Sequence, residues 1–214
     1  MAVLKSLIII QASEDIPQSE VDNIKSQVEL YGIVVSVYKV ITLEELKLAL
    51  KSGRYDYIYL ATHGCEDSWG SVSQELQITW IKFAAEVCVS GVSKPGAIFL
   101  HSCCRGGLQK VAYDMFACCE QIQLICGPRY KIKSRDLLMA FNLFLYYIEV
   151  KGIDPIVAAD KVLISIDIRL HCTDRVECCH TRDFKDHCTL YNNIIQEAFD
   201  FKSIEELVET SKIV

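Results

Sequence analysis

Along the first two-thirds of the chain, unbroken apolar runs alternate with stretches whose apolar residues recur every three or four positions. The run from Val3 to Gln11, with Leu7, Ile8, Ile9 and Ile10 in succession, predicts a strand covered on both faces. From Ser19 to Tyr31 the apolar positions Val21, Ile24, Val28 and Tyr31 share one helical face, and Gly32 ends it. Ile33 to Val40 is β-branched and predicts a second strand. Thr42 with Glu45 three residues on is a capping box, opening a helix lined by Leu43, Leu46 and Leu50 and closed before Gly53.

Tyr55 to Ala61 predicts a third strand, cut off at Thr62, His63 and Gly64, and the polar stretch Glu66 to Gln74 a loop. A helix over Ile78 to Val89, a strand over Ala97 to His101, a helix over Gly106 to Cys119 and a short strand over Gln123 to Cys126 follow. Ser134 to Val150 is a long amphipathic helix, and Asp154-Pro155 opens another through about Ile168. In the long helix Phe141, Phe144, Tyr146 and Tyr147 exceed what one buried stripe holds, so part of that face is expected to meet a partner. A last helix is expected over Leu190 to Leu207. Strands alternating with helices predict an α/β fold, a mostly parallel sheet with helices on both faces. We expect a single domain over 1–214, with 170–214 a Cys/His-rich C-terminal elaboration.

Composition narrows the function classes. With 51% hydrophobic and 23% charged residues, the 214-residue chain has enough apolar content to bury one core. Lys plus Arg number 22 against 28 Asp plus Glu, a net charge of -6, which argues against nucleic acid as the main partner. No run approaches the roughly 18 apolar residues of a membrane span, so no membrane role is expected. The first apolar run follows one basic residue, Lys5, but lacks a small-x-small cleavage site and reads better as a strand than as a signal peptide. Eleven cysteines, an odd number, fit a reducing compartment, and the expected location is cytoplasmic.

Two predicted strands end in reactive residues. Tyr57 to Ala61 leads into Thr62-His63-Gly64, and Ala97 to Leu100 into His101-Ser102-Cys103-Cys104-Arg105-Gly106-Gly107. Parallel strands that neighbour one another deliver their carboxyl ends to one rim, where such sheets place their sites. A thiol followed by a glycine pair near a helix start has backbone N–H groups that lower its pKa and can bind an oxyanion. Together they are the minimum for nucleophilic acyl transfer.

This paired pattern resembles the catalytic core of the caspase-like cysteine peptidases, both caspases and the bacterial CHAT peptidases. The caspase signature Gln-Ala-Cys-Arg-Gly is matched here by Ser102, Cys103, Cys104, Arg105 and Gly106, with the His upstream at a comparable distance. Leu124 to Gly127, Phe141 to Tyr147, Gly152 and Ala158-Ala159 add to the likeness with CHAT sequences. It covers roughly Tyr55 to Ile168 and implies a caspase-like (caspase-hemoglobinase) fold.

The resemblance also implies roles. Cys104 would be the nucleophile of a cysteine endopeptidase acting on protein or peptide substrates, and His63 the acid that protonates the leaving amine. The backbone amides of Gly64 and Cys104 would form the oxyanion hole. No third triad member is evident. Cys103 beside Cys104 leaves open which thiol faces the rim, and His101 reads as a packing or capping residue. A tyrosine phosphatase is excluded, because it needs Arg six positions after its Cys, where Cys104 has Lys110 and Cys103 has Gln109.

Arg105 and Arg129 are candidate substrate-binding residues. The loop Gly127 to Asp136 carries Arg129, Lys131, Lys133 and Arg135, which points to an acidic or small P1 residue. A cytosolic peptidase needs restraint, so an activating partner protein or ligand is expected, with bacterial defence as the context that CHAT relatives suggest. The chemistry requires no cofactor. In the tail, Cys172, Cys178, Cys179, His180 and Cys188 are candidate ligands for a structural zinc, with a Cys172–Cys179 disulfide or plain packing as alternatives. The competing functions are a non-catalytic interaction module of the same fold and a zinc-stabilised regulatory protein.

Overall fold

The computed structural model describes residues 4–102, 105–190 and 192. It divides into two compact units, Met1–Val176 and Glu177–Val214. The first holds a six-stranded sheet built from β1 (Ser6–Gln11), β2 (Val34–Lys39), β3 (Tyr55–Ala61), β7 (Ser93–His101), β8 (Ile122–Gly127) and β9 (His171–Asp174), in the order β2-β1-β3-β7-β8-β9. All neighbours pair in parallel except β8 and β9, which are antiparallel with Cys126 opposite Cys172.

Between them run α1 (Gln18–Glu29), α2 (Leu43–Leu50), α3 (Trp80–Ser90), α4 (Gln109–Cys118), α5 (Ser134–Glu149) and α6 (Pro155–Ile166). Side chains alternate across the strands, so each central strand feeds two cores. Leu7, Ile9, Tyr57, Tyr59, Leu100 and Leu124 meet α1, α5 and α6 on one face. On the other, Phe83 of α3 packs against Phe99 and against Trp69, and α3 lies along α2 and α4. Helices therefore cover both faces, as the alternating pattern predicts. The Thr42–Glu45 capping box is present in both directions, and Asp154 caps α6 by accepting from the Ile156 and Val157 N–H groups.

Three parts of the pattern are read differently by the structure. The polar stretch after His63 is a three-stranded antiparallel sheet, β4 (His63–Gly64), β5 (Ser68–Gly70) and β6 (Gln77–Thr79), rather than a loop. Its strands are two or three residues long, too short to show a period. The aromatic residues of α5 are divided between two neighbouring helices, α1 and α6, rather than lying on one stripe. Phe141 and Phe144 are buried, the half-buried Tyr146 ring is tilted at 53° to that of Tyr31, and the Tyr147 hydroxyl meets Ser165. The third is β9, whose His171-Cys172-Thr173-Asp174 has no apolar alternation, so only its pairing with β8 makes it a strand.

Of the second unit, α7 (Arg175–Cys179) crosses the division, and Thr181 closes the following turn by donating to the Cys178 carbonyl. The helix expected over Leu190 to Leu207 lies outside the described residues, apart from Leu190 and Asn192. Among the described residues no helix is long and apolar enough to cross a membrane.

Candidate active site

The strand order sets β1, β3 and β7 side by side, with Gln11 opposite Ala61 and Leu60 opposite His101. Their carboxyl ends make one rim. Ser102 ties two of these ends together. Its N–H donates to the Leu60 carbonyl at 3.0 Å, and its hydroxyl oxygen accepts the Thr62 N–H at 3.3 Å. The chain is thereby pinned to the end of β3 one residue before Cys103 and one residue before His63 on the other strand. Cys103 and Cys104 themselves lie outside the described residues.

His63 is exposed on the rim, and its Nε2 lies 2.8 and 2.9 Å from the two carboxylate oxygens of Asp15. Asp15 comes from the turn after β1, where the Ser13 hydroxyl donates to its Oδ1 at 2.6 Å. The Ser13 hydroxyl, and then His63, hold its carboxyl below the usual range, so at neutral pH it is an acceptor only. Nε2 of a neutral His63 must then carry the proton, and Nδ1 is left as the basic nitrogen. This turn is anchored in turn by Val72, whose N–H donates to the Ser13 hydroxyl, and by Glu14, which pairs with Ser73.

Asp15 has no counterpart in the sequence reading, where a third member beside the thiol and imidazole was not evident. The signal for it is weak. An acidic residue four positions past the first strand is ordinary in a turn, and only the β1–β3 adjacency gives it a partner.

The glycines after the cysteine pair answer to packing. A Cβ on Gly106 would fall 1.5 Å from Nδ1 of the buried His101, and one on Gly107 would fall 2.2 Å from the Gly127 carbonyl. The segment after Cys104 therefore lies flat against the ends of β7 and β8 before α4 begins at Gln109. His101 sits between Trp80 and Phe99, with ring centroids 5.3 and 5.0 Å away, and burial pushes its pKa down to about 3. It is a core residue, as the sequence reading has it.

Beside His63 opens a cleft of about 410 Å³ lined by Ile16, Glu20, Thr62, His63, Gly64, Ser102, Lys131, Ile132, Lys133, Ser134 and Leu137. Gly64, the expected oxyanion donor, is on its wall. Arg105 and Arg129 are not. The Arg105 guanidinium donates to the Arg129 carbonyl at 3.2 Å, and Arg129 Nε to the Gly107 carbonyl at 2.7 Å. Both arginines stitch the segment after the cysteine pair to the loop after β8. One further thiol is near the rim in sequence. Cys65 is exposed, and hydrogen bonding, first to the Ser68 hydroxyl and then to the Asp67 backbone, pulls its pKa down.

Among the described residues no group of three or more His, Cys, Asp or Glu side chains could hold a metal ion. Cys172 is on β9 opposite Cys126, with its thiol close enough to hydrogen-bond, and burial first, then Cys172, drives the Cys126 pKa up. Cys178 and Cys179 are successive residues of α7, about 100° apart around the helix, so they do not face one ion. Cys188 has Cys179 as a neighbour.

No family model matches the chain, and no curated protein matches it in sequence. Among solved structures it is similar to the crystal structure of Caspase-1 from Spodoptera frugiperda, with 16% identity over 80% of this chain and 86% of that one and a TM-score of 0.50. At that identity the likeness shows the fold, which is caspase-like.

Proposed function

We propose that this caspase-like chain is a cysteine endopeptidase, with Cys104 as nucleophile and His63 as general acid–base. The observation that carries the reading is the His63–Asp15 pair at the end of β3, beside the point where Ser102 leads the chain into the cysteine pair. A scaffold has no need of an exposed imidazole oriented by a carboxylate on a sheet rim.

The chemistry follows from the two ring nitrogens. With Nε2–H donated to Asp15, Nδ1 takes the thiol proton, and the thiolate of Cys104 attacks the scissile carbonyl carbon. The resulting oxyanion is met by backbone N–H groups, for which Gly64 and Cys104 are the candidates. His63 then returns the proton to the leaving amine, and a water deprotonated by Nδ1 hydrolyses the thioester. Asp15 stabilises the imidazolium formed between these steps. No metal or cofactor takes part. Activation by a partner protein or ligand belongs to the same proposal, as the restraint such an enzyme needs in a cell.

Labelling with a peptidyl chloromethyl ketone, mapped by mass spectrometry, tests the nucleophile. The adduct is expected on Cys104 and is expected to form far more slowly in His63→Ala. An adduct on Cys65 or Cys103 instead, at a rate unchanged in His63→Ala, would contradict the assignment.

A further inference from the structure

The cleft beside His63 has an acid at its base that the proposed chemistry does not use. Glu20, in the first turn of α1, is 5% exposed, and its Oε2 finds no hydrogen-bond partner among the described residues. Its neighbour is the hydroxyl of Tyr59, also buried. A carboxylate in a first helical turn interacts favourably with the helix dipole while fully solvated. Burial raises its pKa, opposed by the nearby His63 and then by the Tyr59 hydroxyl, and leaves Oε2 without a donor to replace the water it has lost. A helix that needed only an acid near its start would leave it in water.

The walls say what the missing partner looks like. Thr62, His63, Gly64 and Ser102 come from the two strand ends that carry the imidazole and lead to the thiol. On the peptidase reading, the substrate side chain next to the reacting carbonyl enters this space beside His63. Ile16, Ile132 and Leu137 give the cleft an apolar wall, and Glu20 closes it. An apolar passage ending in a carboxyl group with one oxygen, Oε2, still to be satisfied fits a long aliphatic stem with a cationic head.

We infer that Glu20 is the specificity-determining residue of this site and selects substrates with Lys or Arg at P1. The inference rests on the peptidase reading above. It reverses the preference drawn from the basic loop Gly127 to Asp136. Lys131 and Lys133 are exposed at the mouth, where water and salt screen them, whereas an acidic P1 reaching the base would face the Glu20 carboxyl.

Two measurements separate this inference from the reading it rests on. The first is cleavage of peptides differing only at P1 (Arg, Lys, Asp, Ala) by wild type and Glu20→Gln. The ratio of kcat/KM for basic over Ala P1 is expected to fall about 100-fold in the variant. Preferred cleavage after Asp or Ala, with a ratio unmoved by Glu20→Gln, overturns the inference and leaves the peptidase intact.

The second needs no turnover. Agmatine binding, followed by NMR shifts of residues lining the cleft, is expected in wild type and in Cys104→Ala and lost in Glu20→Gln. Agmatine binding without cleavage of any peptide would keep the cation pocket and remove the peptidase reading. Failure of agmatine to perturb the cleft in either Glu20-containing protein overturns the pocket itself.

Discussion

Asp15 and His63 lie 48 residues apart in sequence and meet through both carboxylate oxygens. Their geometry does more than hold a ring in place, because an acceptor-only partner on Nε2 decides which nitrogen is basic. Asp15→Asn offers an amide that can donate to Nε2, favouring the tautomer with its proton on Nδ1. Peptidase kcat is expected to fall about 10- to 100-fold with little change in KM, and Asp15→Glu to recover part of it. A rise in KM alone would mean that Asp15 binds substrate rather than orienting His63.

His101 makes a separate prediction at the same scale. Its folded pKa of about 3 lies below the roughly 6.5 of an unfolded histidine. Between those values the unfolded chain holds a proton that the native ring lacks, so native stability falls as pH falls through this window. The slope from this residue approaches about 1.4 kcal/mol per pH unit at its steepest. His101→Gln should lower stability at neutral pH, since it removes the ring between Trp80 and Phe99. It should also flatten the dependence between pH 6.5 and 4, read from urea midpoints across that range. An unchanged slope would place the acid sensitivity elsewhere.

At the scale of elements, the helices were the most legible part of the sequence, because their signals are local. Thr42 with Glu45 and Asp154 with Pro155 mark the starts of α2 and α6, and both caps are made as the residues imply. Thr42→Ala and Asp154→Ala are each expected to destabilise the fold by about 1 kcal/mol in denaturant titrations, additively, as the two caps share no partner. The small sheet β4–β6 was not legible because its strands are too short to show a period, and strand β9 because only its pairing with the distant β8 makes it one. Thr62 shows the difference. Its hydroxyl donates to the Gly70 carbonyl at 3.1 Å, fixing the chain beside His63 through a side-chain contact that hydrophobic periodicity does not report.

Over the whole molecule, the parallel sheet was readable from alternation alone, whereas the strand order was not, and the order is what makes the rim. Placing β3 between β1 and β7 brings Asp15, in the turn after β1, and Glu20, in the first turn of α1, onto the same side as His63. The imidazole and the thiol could be named from their strand ends and motif. The two acids could not, since nothing in Ser13 to Glu20 distinguishes a functional turn from a solvated one until its neighbours are known. For the same reason the ties that Arg105 and Arg129 make to the Arg129 and Gly107 carbonyls could not be read beside the motif.

The central chemical proposal is that Cys104 with His63 breaks peptide bonds. Its most direct test is digestion of a proteome-derived peptide library by wild type, Cys104→Ala and His63→Ala, with new termini read by mass spectrometry. Cuts are expected from wild type alone, falling after Lys and Arg. The same cuts from Cys104→Ala, or none from wild type that had bound the chloromethyl ketone at no cysteine, would contradict it.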